Sequence, residues 1–188
     1  MKKKLTNFIY ELGQLKRVKR SGWWLAGVKD PESVADHSFR AGMIAYLLAD
    51  MEHANPERSA MMALMNDLQE ARINDLHKVG HKYIDFRKAE IEVIREQLLD
   101  LPSGPAMLDL FNQFNNDTSK EGVVARDADL LECAFQAREY EHIGHTDAVD
   151  WLNKIEKLVV TDSAKKLFTE LRITKPNEWY MDLKKTER

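Results

Sequence analysis

Apolar residues recur along this chain with the spacing of a helix face. Ala41, Ile44, Ala45 and Leu48 fall at i, i+3, i+4 and i+7, and Val124, Ala128, Leu131 and Phe135 follow at steps of four, three and four. That rhythm puts side chains on one side of a 3.6-residue repeat. The strict alternation of a half-buried strand is not evident over any useful length. The pattern predicts helices near 5–15, 33–51, 56–70, 82–100, 105–115, 119–143, 147–158 and 162–173. Boundary residues agree with it. Ser33 stands two residues after Pro31, Pro56 follows Asn55, Gly144 follows Ile143, Asp162 precedes an apolar run and Pro176 lies beyond the last helix. The expected fold is all-α, a compact multi-helix bundle. Two segments resist the helical reading. Residues 16–32 carry Gly22, Trp23, Trp24, Gly27 and Pro31, and residues 73–80 read INDLHKVG. Loops held by a rigid scaffold are where chemistry is sought.

Composition narrows the class. A chain of 188 residues with 44% hydrophobic residues and no Pro/Gly/Ser-rich linker or repeat is read as one domain, 1–188. The single Cys133 excludes an internal disulfide or a cysteine-based zinc cluster, and inside an apolar helix it is expected to be structural. The longest uncharged stretch, Ala41 to Ala49, is nine residues, far short of the roughly 20 of a membrane helix. The expectation is a soluble, cytoplasmic protein with no membrane partner. With 28 Lys+Arg against 31 Asp+Glu the net charge is -3, which argues against a dedicated nucleic-acid binder. Seven of the basic residues nevertheless fall within residues 1 to 20.

Candidate chemistry comes from three of the expected helices. His37 lies near a helix start in ESVADHSFR. Asp67 and Glu70, three apart, end an apolar helix in ALMNDLQE, and Asp129 and Glu132 repeat that relation in ARDADLLE. An imidazole and carboxylates from separate helices can converge in a bundle core to hold a metal, and inward carboxylates are costly without a cation or hydrogen bonds. For Glu132 a salt bridge or a solvated edge is an equal alternative. His77 and His81 stand four apart around Gly80, a spacing better read as surface than as zinc. No glycine-rich phosphate loop, nucleophilic serine elbow or dinucleotide fingerprint is present.

ESVADHSFR, then ALMNDLQEARINDLHK, then ARDADLLE resembles the HD-domain metal-dependent phosphohydrolases, closest to the small 5′-deoxyribonucleotidase branch, over roughly residues 10 to 145. The resemblance implies an HD-domain bundle that hydrolyses nucleoside 5′-monophosphates. It implies His37, Asp67 and Asp129 as metal ligands, Glu70 as the carboxylate that orients or activates the attacking water, and Asp75 as a contact to deoxyribose. Arg20 and Trp23 or Trp24 would meet phosphate and base, with Lys82 a weaker phosphate contact. A homodimer is the expected assembly. One departure stands out: the first residue of the family's His-Asp dyad is Asn66. An amide offers at best a neutral oxygen, which favours Mg or Mn over Co, Zn, Ni or Fe. Three alternatives remain at this stage: Asn66 joins a metal site, the site is empty and the domain binds a nucleotide or partner without catalysis, or Asn66 replaces an original histidine.

Overall fold

The computed structural model describes residues 2–116, 119–181 and 183. Ten α-helices follow one another: α1 Lys2–Leu12, α2 Val34–Met51, α3 Pro56–Met65, α4 Glu70–Ile73, α5 Lys78–His81, α6 Phe86–Leu98, α7 Gly104–Asn116, α8 Lys120–His142, α9 Val149–Ile155 and α10 Asp162–Ile173. No strand occurs among the described residues. An isolated antiparallel bridge, Lys19 to Ser33, closes the 16–32 loop at its base, and a short 3-10 turn, Ser21–Ala26, fills it.

Helix starts are set by side chains that take up free backbone N–H groups. Ser33 and Asp36 exchange hydrogen bonds in a capping box at the start of α2, Asn55 accepts from Arg58 N before α3, and Ser119 accepts from Gly122 N before α8. The capping box fixes the first turn of α2, and with it His37.

The expected helix over 56–70 is divided. α3 stops at Met65, residues 66–69 form a turn, and α4 begins at Glu70. Asn66 and Asp67 satisfy each other locally, Asn66 Nδ2 donating to Asp67 Oδ1 at 2.8 Å, and such short polar side chains compete with a continuous helix. The 73–80 loop is likewise shorter than expected, because Lys78–His81 forms the single turn α5.

Two apolar clusters hold the bundle. The larger includes Ala41, Ile44, Ala45 and Leu48 of α2 with Ala125, Ala128 and Leu131 of α8; the smaller includes Val34, Met65, Leu68, Ile94 and Phe111. Val34 and Ala41 bracket His37 from different clusters. The polar residues of interest therefore lie along the seam between the two.

Candidate functional site

His37 is 1% exposed, held between three carboxylates from two other parts of the chain. Its Nε2 lies 2.9 Å from Asp129 Oδ1 and 3.6 Å from Asp67 Oδ2, and its Nδ1 is bonded to Glu132 Oε2. Glu132 is fully buried and also accepts from Arg40 Nε at 2.9 Å. A carboxylate bonded to Nδ1 fixes the ring with its Nε2 edge toward Asp67 and Asp129, the edge that a cation would take in place of a proton. Ligand atoms of His37, Asp67 and Asp129 all lie within 4.8 Å of one another, a spacing that suits a divalent cation. His37, Glu132 and Cys133 form a second such group. There, however, Arg40 already pairs with Glu132 and Arg20 Nη2 lies 3.2 Å from Cys133 Sγ, so two positive charges oppose a further cation.

The electrostatics show carboxylates crowded without enough countercharge. Burial pushes Asp67 up to about 6, against the pull of Arg20 and His37 and with a further push from Asp129. Burial, then the charge of Asp67, raises Glu70 well above the carboxylate range. Glu70 Oε2 is buried with no hydrogen-bond partner, an orphaned oxygen that implies a ligand or water facing it. For Asp129 burial works against ionisation, but the His37 hydrogen bond and charge outweigh it and hold the carboxyl low. Burial and Arg20 oppose a proton on His37, and Glu132 and Asp129 overcome them, raising its pKa. Burial pushes the Cys133 thiol up to about 12, in keeping with a structural role.

Other expected residues divide into those brought to this point and those placed elsewhere. Arg20 arrives at the 3-10 turn, Nη1 at 3.2 Å from Asp67 Oδ2. Asp75 accepts from Ser21 N at 2.5 Å and so ties the 73–80 segment to the Arg20 loop. Asn66 presents its amide nitrogen, not its oxygen, to Asp67. Trp23 cannot offer a ring face to a base. It is 2% exposed, packed 5.2 Å from both Tyr140 and Trp151, with its Nε1 donating to Glu32. Its neighbour Trp24 is half exposed. Lys82 is exposed with its ammonium 5.8 Å from the Tyr83 ring centre. His77 caps α5 by accepting from Gly80 N, and His81 Nε2 meets Leu76 O at 2.7 Å, so neither is arranged as a zinc ligand.

Arg40 is the functional neighbour that sequence reading missed. It binds Glu132, Gln136 and Glu139 along one face of α8. The signal was present: Arg40 is three residues after His37, as Glu132 is three after Asp129, so two helices each present a matched pair. Glu132 is a buried salt-bridge partner and not a solvated edge.

Comparison with known proteins bears on the family and the fold. A family model described as "HD domain" matches residues 12–171. A 5′-deoxynucleotidase HDDC2 from Danio rerio is 33% identical over 142 residues, covering 74% of this chain and 70% of that protein. Its counterpart in Homo sapiens is 32% identical over 145 residues, 75% of this chain and 70% of the relative. Among solved structures, a conserved hypothetical protein from Pyrococcus furiosus superposes with a TM-score of 0.76 at 32% identity, covering 90% of this chain and 99% of the other.

Proposed function

The chain belongs to the HD-domain family, and from that premise we propose that it is a metal-dependent hydrolase of nucleoside 5′-monophosphates, with deoxyribonucleotides the preferred class. The observation that carries this reading is the convergence of His37, Asp67 and Asp129 beside the orphaned buried oxygen of Glu70. Relatives named 5′-deoxynucleotidase support the substrate class.

The donor set fits a divalent cation: one imidazole nitrogen oriented by Glu132, and two carboxylates whose mutual repulsion a dication would relieve. His37, Asp67 and Asp129 would hold it. With Asn66 where an imidazole would otherwise stand, the site favours the harder ions Mg or Mn. Such an ion supplies Lewis acidity toward a phosphoryl oxygen and toward water. With a dication offsetting the Asp67 charge that helps to raise its pKa, Glu70 would ionise, and its free oxygen would orient the attacking water and take its proton. Arg20, at the edge of the carboxylate group, neutralises charge that grows on the phosphoryl oxygens. Asp75, tied to Ser21 N beside Arg20, would contact the sugar, and the half-exposed Trp24 would meet the base. Products are a nucleoside and inorganic phosphate.

The test is phosphate release from a panel of deoxy- and ribonucleoside 5′-monophosphates, with Mg, Mn and Co added in turn. Activity is expected in wild type and absent in Asp67→Ala. Release no greater than that of Asp67→Ala would sink the reading. Asn66 favours one competing reading, a domain that binds a nucleotide or partner without turning it over. If that holds, wild type binds nucleotide and releases no phosphate, and Asn66→His does not create hydrolysis. The reading includes a cytoplasmic enzyme that pairs with a second copy through exposed Phe39, Met43 and Leu47, spaced four apart on α2. Light scattering at twice the monomer mass checks the pairing.

A further inference from the structure

Both carboxylate oxygens of Asp67 are engaged. Oδ1 accepts from Asn66 Nδ2 at 2.8 Å, and Oδ2 accepts from Arg20 Nη1 at 3.2 Å. The two donors are held differently. Asn66 is the adjacent residue, and the 66–69 turn keeps its short amide at Oδ1. Arg20 reaches in from a loop 47 residues away, on a long side chain that can turn. Oδ2 is also the oxygen 3.6 Å from His37 Nε2, so it is the one that a cation shared with His37 and Asp129 would take. At Oδ2 the guanidinium of Arg20 and such a cation compete.

Charge decides that contest. A dication carries twice the charge of the carboxylate it covers, so the two together present net positive charge to a guanidinium that the bare carboxylate attracts. The loop beneath cannot carry Arg20 away. Arg20 N donates to Glu32 O at 3.0 Å, Lys19 and Ser33 form the bridge at the base of the loop, and Ser21 N donates to Asp75 Oδ2 at 2.5 Å. What remains is a turn of the side chain about its other hold. Arg20 Nη2 donates to Cys133 Sγ at 3.2 Å, and Cys133 is carried on α8 against the larger apolar cluster. A thiol is uncharged near neutral pH. It directs the guanidinium without cancelling its charge, as a carboxylate would, and leaves that charge for a phosphomonoester of about -1.5 to -2.

Resting on the hydrolase reading, we infer that Arg20 changes partners when Asp67 Oδ2 takes a cation: Nη1 leaves Asp67 and donates to a phosphoryl oxygen of the substrate, while Cys133 keeps Nη2 in place. Cys133 is a positioning residue that acts through Arg20. The order that follows is cation first and nucleotide second, because Nη1 is free for phosphate only after Oδ2 has been taken.

Calorimetry reads both halves of the exchange. Mn is titrated into wild type, Arg20→Met, Arg20→Lys, Cys133→Ala and Cys133→Ser, and inorganic phosphate into each Mn-loaded protein. Arg20→Met frees Oδ2, so it should bind Mn about tenfold more tightly and phosphate about tenfold more weakly, the scale of one charge-assisted contact. Arg20→Lys, with a single nitrogen for two partners, should fall between the two. Cys133→Ala should keep Mn affinity within about twofold and weaken phosphate binding about fivefold, the scale of one uncharged hydrogen bond, with Cys133→Ser restoring most of it. In the Arg20→Met background Cys133→Ala should change phosphate binding no further, whereas a merely structural loss would persist. Mn binding that is absent, unchanged or weaker in Arg20→Met overturns the exchange, and an equal effect of Cys133→Ala with and without Arg20 overturns the part given to the thiol. Absence of turnover in wild type overturns the hydrolase reading separately, and the two titrations still judge Arg20 and Cys133.

Discussion

Glu132 decides how His37 meets a cation. It holds Nδ1 from behind while Arg40 holds Glu132 in turn, so the ring cannot rotate and Nε2 stays aimed between Asp67 and Asp129. Glu132→Gln keeps the size and loses the charge; divalent-metal affinity is expected to fall about 10–100-fold, the range seen when such supporting carboxylates are lost. Calorimetric titration with Mn measures it. Glu32 is a half-buried carboxyl, and it works against the fold. Burial, followed by the charge of Glu132, pushes it up to about 7 from 4.5. An acid whose pKa is raised by folding weakens the folded state as pH climbs from the unfolded value through the folded one. The cost approaches about 3 kcal/mol above pH 7 and vanishes near pH 4. Glu32→Gln retains an acceptor for Trp23 Nε1 and cannot ionise. Its melting temperature should exceed wild type by several degrees at pH 8 and match it at pH 4, as read by thermal melts across that range.

At the scale of the element, the start of α2 carries more than a local cap. Ser33 closes the capping box and also lies in the bridge that shuts the Arg20 loop. Its loss loosens the turn that presents His37 and the strap that presents Arg20. Ser33→Ala is expected to cost about 1 kcal/mol, a fall of about 2–4 °C in Tm for a chain of this size, checked by calorimetry. The break between α3 and α4 is the other element that matters. A helix continuing from Met65 would carry Asp67 and Glu70 on at helical spacing. The turn at 66–69 sets Asp67 beside Arg20 and leaves Glu70 buried with an unpaired oxygen.

Across the whole molecule, the proposed ligands come from α2, the turn after α3, and α8, and they lie where the two apolar clusters meet. A cation bound there would join three parts of the chain and relieve the repulsion between Asp67 and Asp129. Ligand that binds only the folded state stabilises it by about 2.7 kcal/mol at a hundred times its Kd. Mn at that excess should raise the melting temperature by about 5–10 °C, and a chelator should reverse the gain. Asp129→Asn, which removes one of the two facing charges, should lose most of the shift. No helix among the described residues is long and apolar enough to cross a membrane.

The sequence by itself determined what local spacing can express. The three- and four-residue apolar steps mark α2 and α8, Ser33 and Asn55 mark helix starts, and the pairs Asp67/Glu70 and Asp129/Glu132 mark polar positions in apolar context. Those features depend on residues within a turn or two of each other. The tertiary structure alone decided which partners meet across the chain. His37 and Glu132 are 95 residues apart, Arg20 and Cys133 are 113 apart, and Ser21 and Asp75 are 54 apart. It also decided that Trp23 turns into the core while Trp24 faces out. Neighbours of identical or similar type carry the same local signal. Only the direction in which packing turns each side chain separates them, and that direction is set by helices far away in sequence.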